Sequence, residues 1–318
     1  MMELGILYSM VKHELRLLLR SKWLLNFMIL FIFLSGLLYF YGLNSVKLDP
    51  VKVTYGLEGV NSNIETMGVN PEYYGLKEIT QQPENTANIN QTAYNRSIAL
   101  LINLSLWLLP IICLILGANS IIGDKESGRL GLYKTYQVSY WKYMLSKFLS
   151  LVISMFVVMG VSYGLFGLIF SIIGKSFQAS IFQVFLSVNM LLIIVFSAAT
   201  LFVGAISKTR MQGLSYALFF WCLTVFIYEF VIMTVINWIP YAFKLKSLFF
   251  FILLNPIESI RVWSISKLNA EYVFGPEFLM IEKWSESGTL SISLMISIVL
   301  LMWIAMAIST KMLKKRGV

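Results

Sequence analysis

Few side chains in this sequence could do chemistry. His13 is the single histidine, and Cys113 and Cys222 are the two cysteines, both inside apolar runs. That stock does not support a zinc, haem or iron–sulfur site, so no metal ligand is assigned. A nucleophile with an adjacent base, or a pair of carboxylates around one bond, needs groups the chain does not bring near one another in sequence, so no catalytic residue is assigned either. No glycine-rich, phosphate-cradling loop of the P-loop pattern is present. Three polar islands remain in an apolar chain. Ile121-Ile122-Gly123-Asp124-Lys125-Glu126-Ser127-Gly128-Arg129-Leu130 gathers four charges around two glycines. Glu229 is a lone carboxylate inside a long apolar run. Asn255-Pro256-Ile257-Glu258, followed by Arg261, has the order of a helix start: a capping side chain, a proline at the first helical position, then an acid in the first turn.

The elements that must position these islands lie in a bilayer. The chain has 318 residues with 58% hydrophobic side chains, 13% charged ones and a mean hydropathy of +0.76. A soluble domain is nearer half apolar, and the surplus here is gathered into separate long runs, which excludes both a soluble domain and a membrane β-barrel. The runs predict an all-α polytopic membrane protein with six transmembrane helices, at residues 23–43, 98–117, 148–174, 181–206, 214–239 and 290–309. The first run is too long for a signal peptide and lacks a small-residue cleavage site.

The net charge of +9 sorts by side of the membrane. With both ends on one face, that face holds residues 1–22, 118–147, the short 207–213 connection and the tail 310–318. It carries 15 basic residues against four acidic ones, Glu3, Glu14, Asp124 and Glu126, while the opposite face carries 10 basic against 11 acidic. By the positive-inside rule both termini are cytoplasmic and the chain is a multi-pass protein of the cytoplasmic membrane. The basic excess is thereby accounted for, and nucleic acid is not an expected partner. Before the first span, Leu4, Leu7, Val11, Leu15 and Leu18 recur at three- and four-residue steps opposite Lys12, His13, Arg16 and Arg20, the pattern of an amphipathic helix in contact with membrane lipid. Two outer segments stand apart. Residues 44–97, a polar loop of about 53 residues with Pro50, Pro71 and Pro83, form an extracytoplasmic lobe on which an outer partner could dock. Residues 240–289 hold the run Ser247 to Leu254, too short to cross and too apolar for water, so a re-entrant helix pair is expected, the second helix starting at Asn255-Pro256.

The string from Ile121 to Leu130, directly after the second span, resembles the signature of ABC-2 type permeases, in which that span runs through an acidic-glycine turn into a coupling helix. The six-span plan, the amphipathic N-terminal helix and the re-entrant pair match that family as well. The Leu254 to Arg261 segment is similar to the asparagine-proline segment of the permease from the nitrous oxide reductase maturation transporter. The resemblance implies a second permease chain, as homodimer or heterodimer, and a separate ABC-type ATPase. ATP and Mg are then bound by that partner, with no cofactor in this chain. It also implies that Gly123, Asp124, Lys125, Glu126, Ser127, Gly128 and Arg129 couple the permease to the ATPase in cargo export. Glu229 is a candidate path or gate residue, with pairing to Lys244, Lys246 or Arg261 as the structural alternative. Asn255, Pro256, Glu258 and Arg261 form the outer re-entrant motif. Two other function classes fit the composition: an ion-coupled secondary transporter or channel using Glu229, and a membrane anchor or assembly subunit acting through the outer lobe.

Overall fold

The computed structural model describes residues 2–20, 22–48, 86–136, 138–173, 179–268 and 289–316. Most of the expected outer lobe, residues 49–85, and residues 269–288 of the second outer segment lie outside the described residues. Everything described is helix or short connection. In chain order the helices are α1 (Met2–Leu19), α2 (Lys22–Leu48), α3 (Thr86–Glu126), α4 (Arg129–Thr135), α5 (Tyr140–Ile173), α6 (Ala179–Ile206), α7 (Arg210–Cys222), a π-helical turn (Leu223–Ile227), α8 (Tyr228–Trp238), α9 (Tyr241–Leu254), α10 (Pro256–Leu268) and α11 (Thr289–Arg316). The protein is an all-α polytopic membrane protein. Lipid offers no partner to a free N–H or C=O, so apolar segments of this length stay helical from end to end.

Among the described residues, five stretches are long and apolar enough to cross a membrane: Ser97–Glu126, Tyr140–Leu165, Ser180–Ile206, Arg210–Trp238 and Thr289–Lys315. Two bent pairs raise that number to as many as seven, and the expected six spans fall within the range. Gly5–Leu19 and Lys22–Leu38 meet at 63°, so α1 turns sharply off the axis of α2. Lys246–Leu254 and Pro256–Lys267 meet at 114°, a reversal centred on Asn255.

The centre of the bundle is α3, α5 and α6. The α6 window is 67% buried, against 24% for the α7–α8 span and 17% for α11, so α6 is enclosed by protein while the other two present broad apolar faces outward. Leu106, Leu109 and Leu114 of α3 meet Leu151, Met155 and Tyr163 of α5 and Phe185, Leu192 and Phe196 of α6 in one buried cluster. Small residues let the backbones close: a Cβ on Gly117 would stand 2.2 Å from Thr200 Cγ2, and Thr200 Oγ1 donates to Leu114 O at 2.8 Å.

Residues 118–147, expected to be a coupling-helix loop, are largely helical. α3 continues without a break to Glu126, and the chain turns only at Ser127-Gly128 before α4 and α5 begin. The island of charge is therefore the last turn of a long helix, its cap and the helix that follows.

Candidate functional site

The Ile121 to Leu130 island is built on the turn itself. Ser127 N–H donates to Gly123 O at 3.0 Å and Gly128 N–H to Lys125 O at 3.2 Å, closing the end of α3. Gly128 sits at φ 71°, the left-handed region that favours glycine and ends many helices. Ser127 Oγ donates to Gly123 O at 2.7 Å and accepts from Arg129 Nε at 2.9 Å, so the first side chain of α4 is bonded back across the turn.

Each charge of the string then bonds to a different neighbour. Asp124 is buried, with Lys147 Nζ of α5 at 2.6 Å, the Tyr143 hydroxyl donating at 3.0 Å and Arg129 Nε at 3.3 Å. Lys147 is buried too, and pairs with Glu14 of α1 at 2.7 Å while donating to Ser120 Oγ at 3.0 Å. Two carboxylates and two cations thus close a neutral network, the arrangement that makes buried charge tolerable. Lys125 Nζ donates to the carbonyls of Gly204, Ala205 and Ser207 at 2.7, 2.9 and 2.8 Å, which satisfies the orphan acceptors at the C-terminus of α6 with a cation at the negative end of its dipole. Glu126 does the converse at the start of α7: its two oxygens accept from Arg210 N–H at 3.2 Å and Arg210 Nε at 2.8 Å. Beneath these bonds, Ile121 and Ile122 press on glycines of the neighbouring elements, since a Cβ on Gly204 would lie 2.8 Å from Ile121 and one on Gly213 2.2 Å from Ile122. Tyr133 of α4 lies against Tyr143 with ring centroids 5.2 Å apart, and burial, reinforced by Asp124 and Glu14, pushes its phenol up from the ordinary range, so it stays protonated.

The string is therefore a joint that fastens the C-terminal end of α3 to α1, α5, α6 and α7. Its outward surface is small: Glu126, Ser127, Gly128 and Gly131, with two large apolar side chains, Leu132 and Tyr136, standing free at 59% and 78% exposure.

The Asn255 to Arg261 island is a second joint. Asn255 caps α10, its Oδ1 accepting from Ile257 N–H at 3.0 Å beside Pro256 at the first helical position. Its Nδ2 donates to Thr224 O, in the π-helical turn of the fifth span, at 2.7 Å. Three of the last four carbonyls of α9 are satisfied by side chains from elsewhere. Phe251 O accepts from the Tyr228 hydroxyl at 2.7 Å, Ile252 O from Ser259 Oγ at 2.8 Å, and Leu253 O from Ser297 Oγ of α11. A 114° reversal in apolar surroundings needs side-chain donors of this kind for the carbonyls it leaves without helical partners. Glu229 pairs with Arg261, Oε1 to Nη1 at 3.2 Å, and the same Nη1 lies 3.3 Å from Glu258 Oε1. The two motifs assigned separately in the sequence, Glu229 and the Asn255 to Arg261 segment, thus meet in one cluster.

Sequence reasoning did not single out Glu14, Tyr143 or Lys147, nor Leu132 and Tyr136. Glu14 left a trace: it stands three residues after Val11 and four before Leu18, on the stripe that α1 turns toward α5. The carbonyl-capping roles of Tyr228, Ser259 and Ser297 leave no trace, because the chain reversal that creates the need is not visible in spacing.

Comparison with known proteins agrees with this architecture. A family profile described as "ABC-2 family transporter protein" matches residues 8–318. A "Probable ABC transporter permease protein NosY" of Pseudomonas aeruginosa is 25% identical over 185 residues, 56% of this chain and 66% of that protein. One of the same name from Stutzerimonas stutzeri is 26% identical over 181 residues, 55% of this chain and 65% of its own. Both matches span just under two thirds of the relative's length. A profile that runs over nearly the whole chain, on a helical bundle whose charged string is built as a joint between helix ends, places the protein: the chain belongs to the ABC-2 family of transporter proteins, as a membrane-spanning permease subunit.

Proposed function

We propose that this chain is the permease subunit of an ATP-driven exporter of the cytoplasmic membrane, with both termini inside. It works as one of two permease chains above a separate ABC-type ATPase pair that holds the ATP and Mg. Closure of the ATPase pair pushes on the turn at Ser127-Gly128 and on α4. The push is not absorbed locally, because Lys125, Glu126, Asp124 and Lys147 fasten that turn to four other helices. The inner ends of α3, α5, α6 and α7 move together, and the path between the two permeases changes its opening from the cytoplasmic to the outer side.

The observation that carries this reading is the division of the string into an inward half bonded to its own bundle and an outward half that is bare. Asp124 and Lys125 are engaged internally, whereas Leu132 on α4 and Tyr136 just after it are large, apolar and exposed. A short helix with such a tip fits a groove in a soluble partner. Glu126 serves both purposes, so Glu126→Lys would loosen the α3–α7 joint as well as any docking contact. Leu132→Asp is the cleaner test, since it places a charge where no internal bond exists. It is expected to abolish copurification of an ABC-type ATPase in gentle detergent while leaving the amount and dimer state of the permease unchanged. An ATPase recovered in parental amounts with Leu132→Asp would refute the reading.

A further inference from the structure

The fifth span is not uniformly α-helical. Between α7 and α8 the turn Leu223–Ile227 is π-wound, and the N–H of Tyr228 bonds to Leu223 O, five residues back. In an α-helix that N–H would bond to Thr224 O, four residues back. Here the Thr224 carbonyl is instead engaged by Asn255 Nδ2 at 2.7 Å, from a side chain that is almost wholly buried. The bond is made by the donor end of an amide whose acceptor end already caps α10 through Ile257 N–H. One side chain therefore both starts the second re-entrant helix and occupies the carbonyl that an α-helical fifth span would reclaim. A π turn is a locally unfavourable winding that persists where something outside the helix holds it, often next to a functional group. The functional candidate is close by: Glu229, the second residue after the turn, pairs with Arg261 of the same re-entrant helix.

We propose that Asn255 is a positioning residue that holds the fifth span in its π-wound register. Releasing the Thr224 carbonyl lets Tyr228 N–H return to it, the span rewinds to a regular α-helix, and everything after the turn rotates. Loss of one residue from the winding rotates α8 by about 100°, the angle per residue of an α-helix. Glu229 then leaves Arg261, and Tyr228 takes up the direction Glu229 had. The fifth span is in this way an element with two discrete windings, and the outer re-entrant pair selects between them. The inference does not depend on an ATPase partner, because its readout is a contact within the chain.

The test is cross-linking in native membranes, in full-length protein with Cys113→Ala and Cys222→Ser. Two reporter pairs are compared, Glu229→Cys with Arg261→Cys and Tyr228→Cys with Arg261→Cys, each closed by a short bifunctional thiol reagent. With Asn255 present, the 229/261 pair is expected to cross-link and the 228/261 pair to do so poorly. Asn255→Asp keeps an acceptor for Ile257 N–H but has no donor for Thr224 O. Asn255→Ser keeps a capping hydroxyl that is too short to reach the span. Both are expected to shift yield from the 229/261 pair to the 228/261 pair, by up to about tenfold for the loss of one buried hydrogen bond. A residue that only capped α10 would tolerate both substitutions, so unchanged yields in Asn255→Asp and Asn255→Ser would overturn the proposal. A protein with Asn255 intact in which the 228/261 pair reacts as readily as the 229/261 pair would overturn it too, and that comparison holds even if neither variant folds.

Discussion

Lys147→Met removes the one cation that two buried carboxylates share. Lys147 and its partners Glu14 and Asp124 are each almost fully enclosed, with Lys147 Nζ 2.7 Å from Glu14 and 2.6 Å from Asp124. Without it Asp124 keeps Tyr143 and Arg129, but Glu14 keeps nothing at Oε2, and its Oε1 already has no hydrogen-bond partner. Breaking a buried pair on one side costs about 3 to 5 kcal/mol, because the remaining charge is left uncompensated. At a few degrees of melting temperature per kcal/mol, the variant should denature roughly 10 °C below the parent. The triple variant Glu14→Gln, Asp124→Asn, Lys147→Met carries no charge at the three buried positions and should recover much of that loss, since neutral groups of similar volume often replace a buried ion cluster at little cost. The assay is the temperature at which detergent-solubilised protein loses its monodisperse elution peak. A single variant that melts with the parent, or a triple variant that melts far below the single one, would refute the reasoning that these charges hold α1 and α5 to the string.

Other outcomes follow from the same geometry. Arg261→Ala should destabilise more than Glu229→Gln: the Glu229 pair is half exposed and worth less than about 1 kcal/mol, whereas Arg261 also neutralises the buried Glu258, and melting of the two variants side by side orders them. Gly128→Val should cost about 1 to 2 kcal/mol in backbone strain alone, since φ is 71° and nothing lies within 4 Å of a Cβ there; Gly128→Asn should be nearly silent in the same melt, because asparagine tolerates that region. Cysteines replacing Asn61 and Glu271 in a background without Cys113 and Cys222 should react with an impermeant thiol reagent on intact cells and one replacing Lys134 should not, and labelling at Lys134→Cys would invert the topology.

What the sequence discloses here divides by the range of the cause. Apolar runs and the side-to-side charge bias act locally, so the helical membrane class could be read directly, as could the capping order at Asn255-Pro256. The same local logic located the Ile121 to Leu130 string as a turn leading into a coupling helix, but spacing did not show that Gly123 to Glu126 are the end of a 41-residue helix that stops just before Gly128. Burial of Asp124 could not be read, because it depends on Glu14 and Lys147, which lie 110 residues before it and 23 after it in sequence and meet it only once α1 and α5 pack together. Glu229 is the reverse case. Its isolation in an apolar run was plain, but the π turn beside it arises from a bond to Asn255, 31 residues later, that no local pattern encodes.

The most direct measurement is site-specific photo-cross-linking from position 136 in native membranes, with mass identification of the adduct. Tyr136 is 78% exposed just after α4, the short helix that is proposed to receive the push together with the turn before it. A photoreactive residue there is expected to capture an ABC-type ATPase subunit, and trapping ATP hydrolysis with vanadate should change the yield, while a probe replacing Trp303 in the apolar face of α11 should capture no ATPase. Absence of any ATPase adduct from position 136 and from Leu132, in membranes where the permease is intact, would contradict the coupling role of the string.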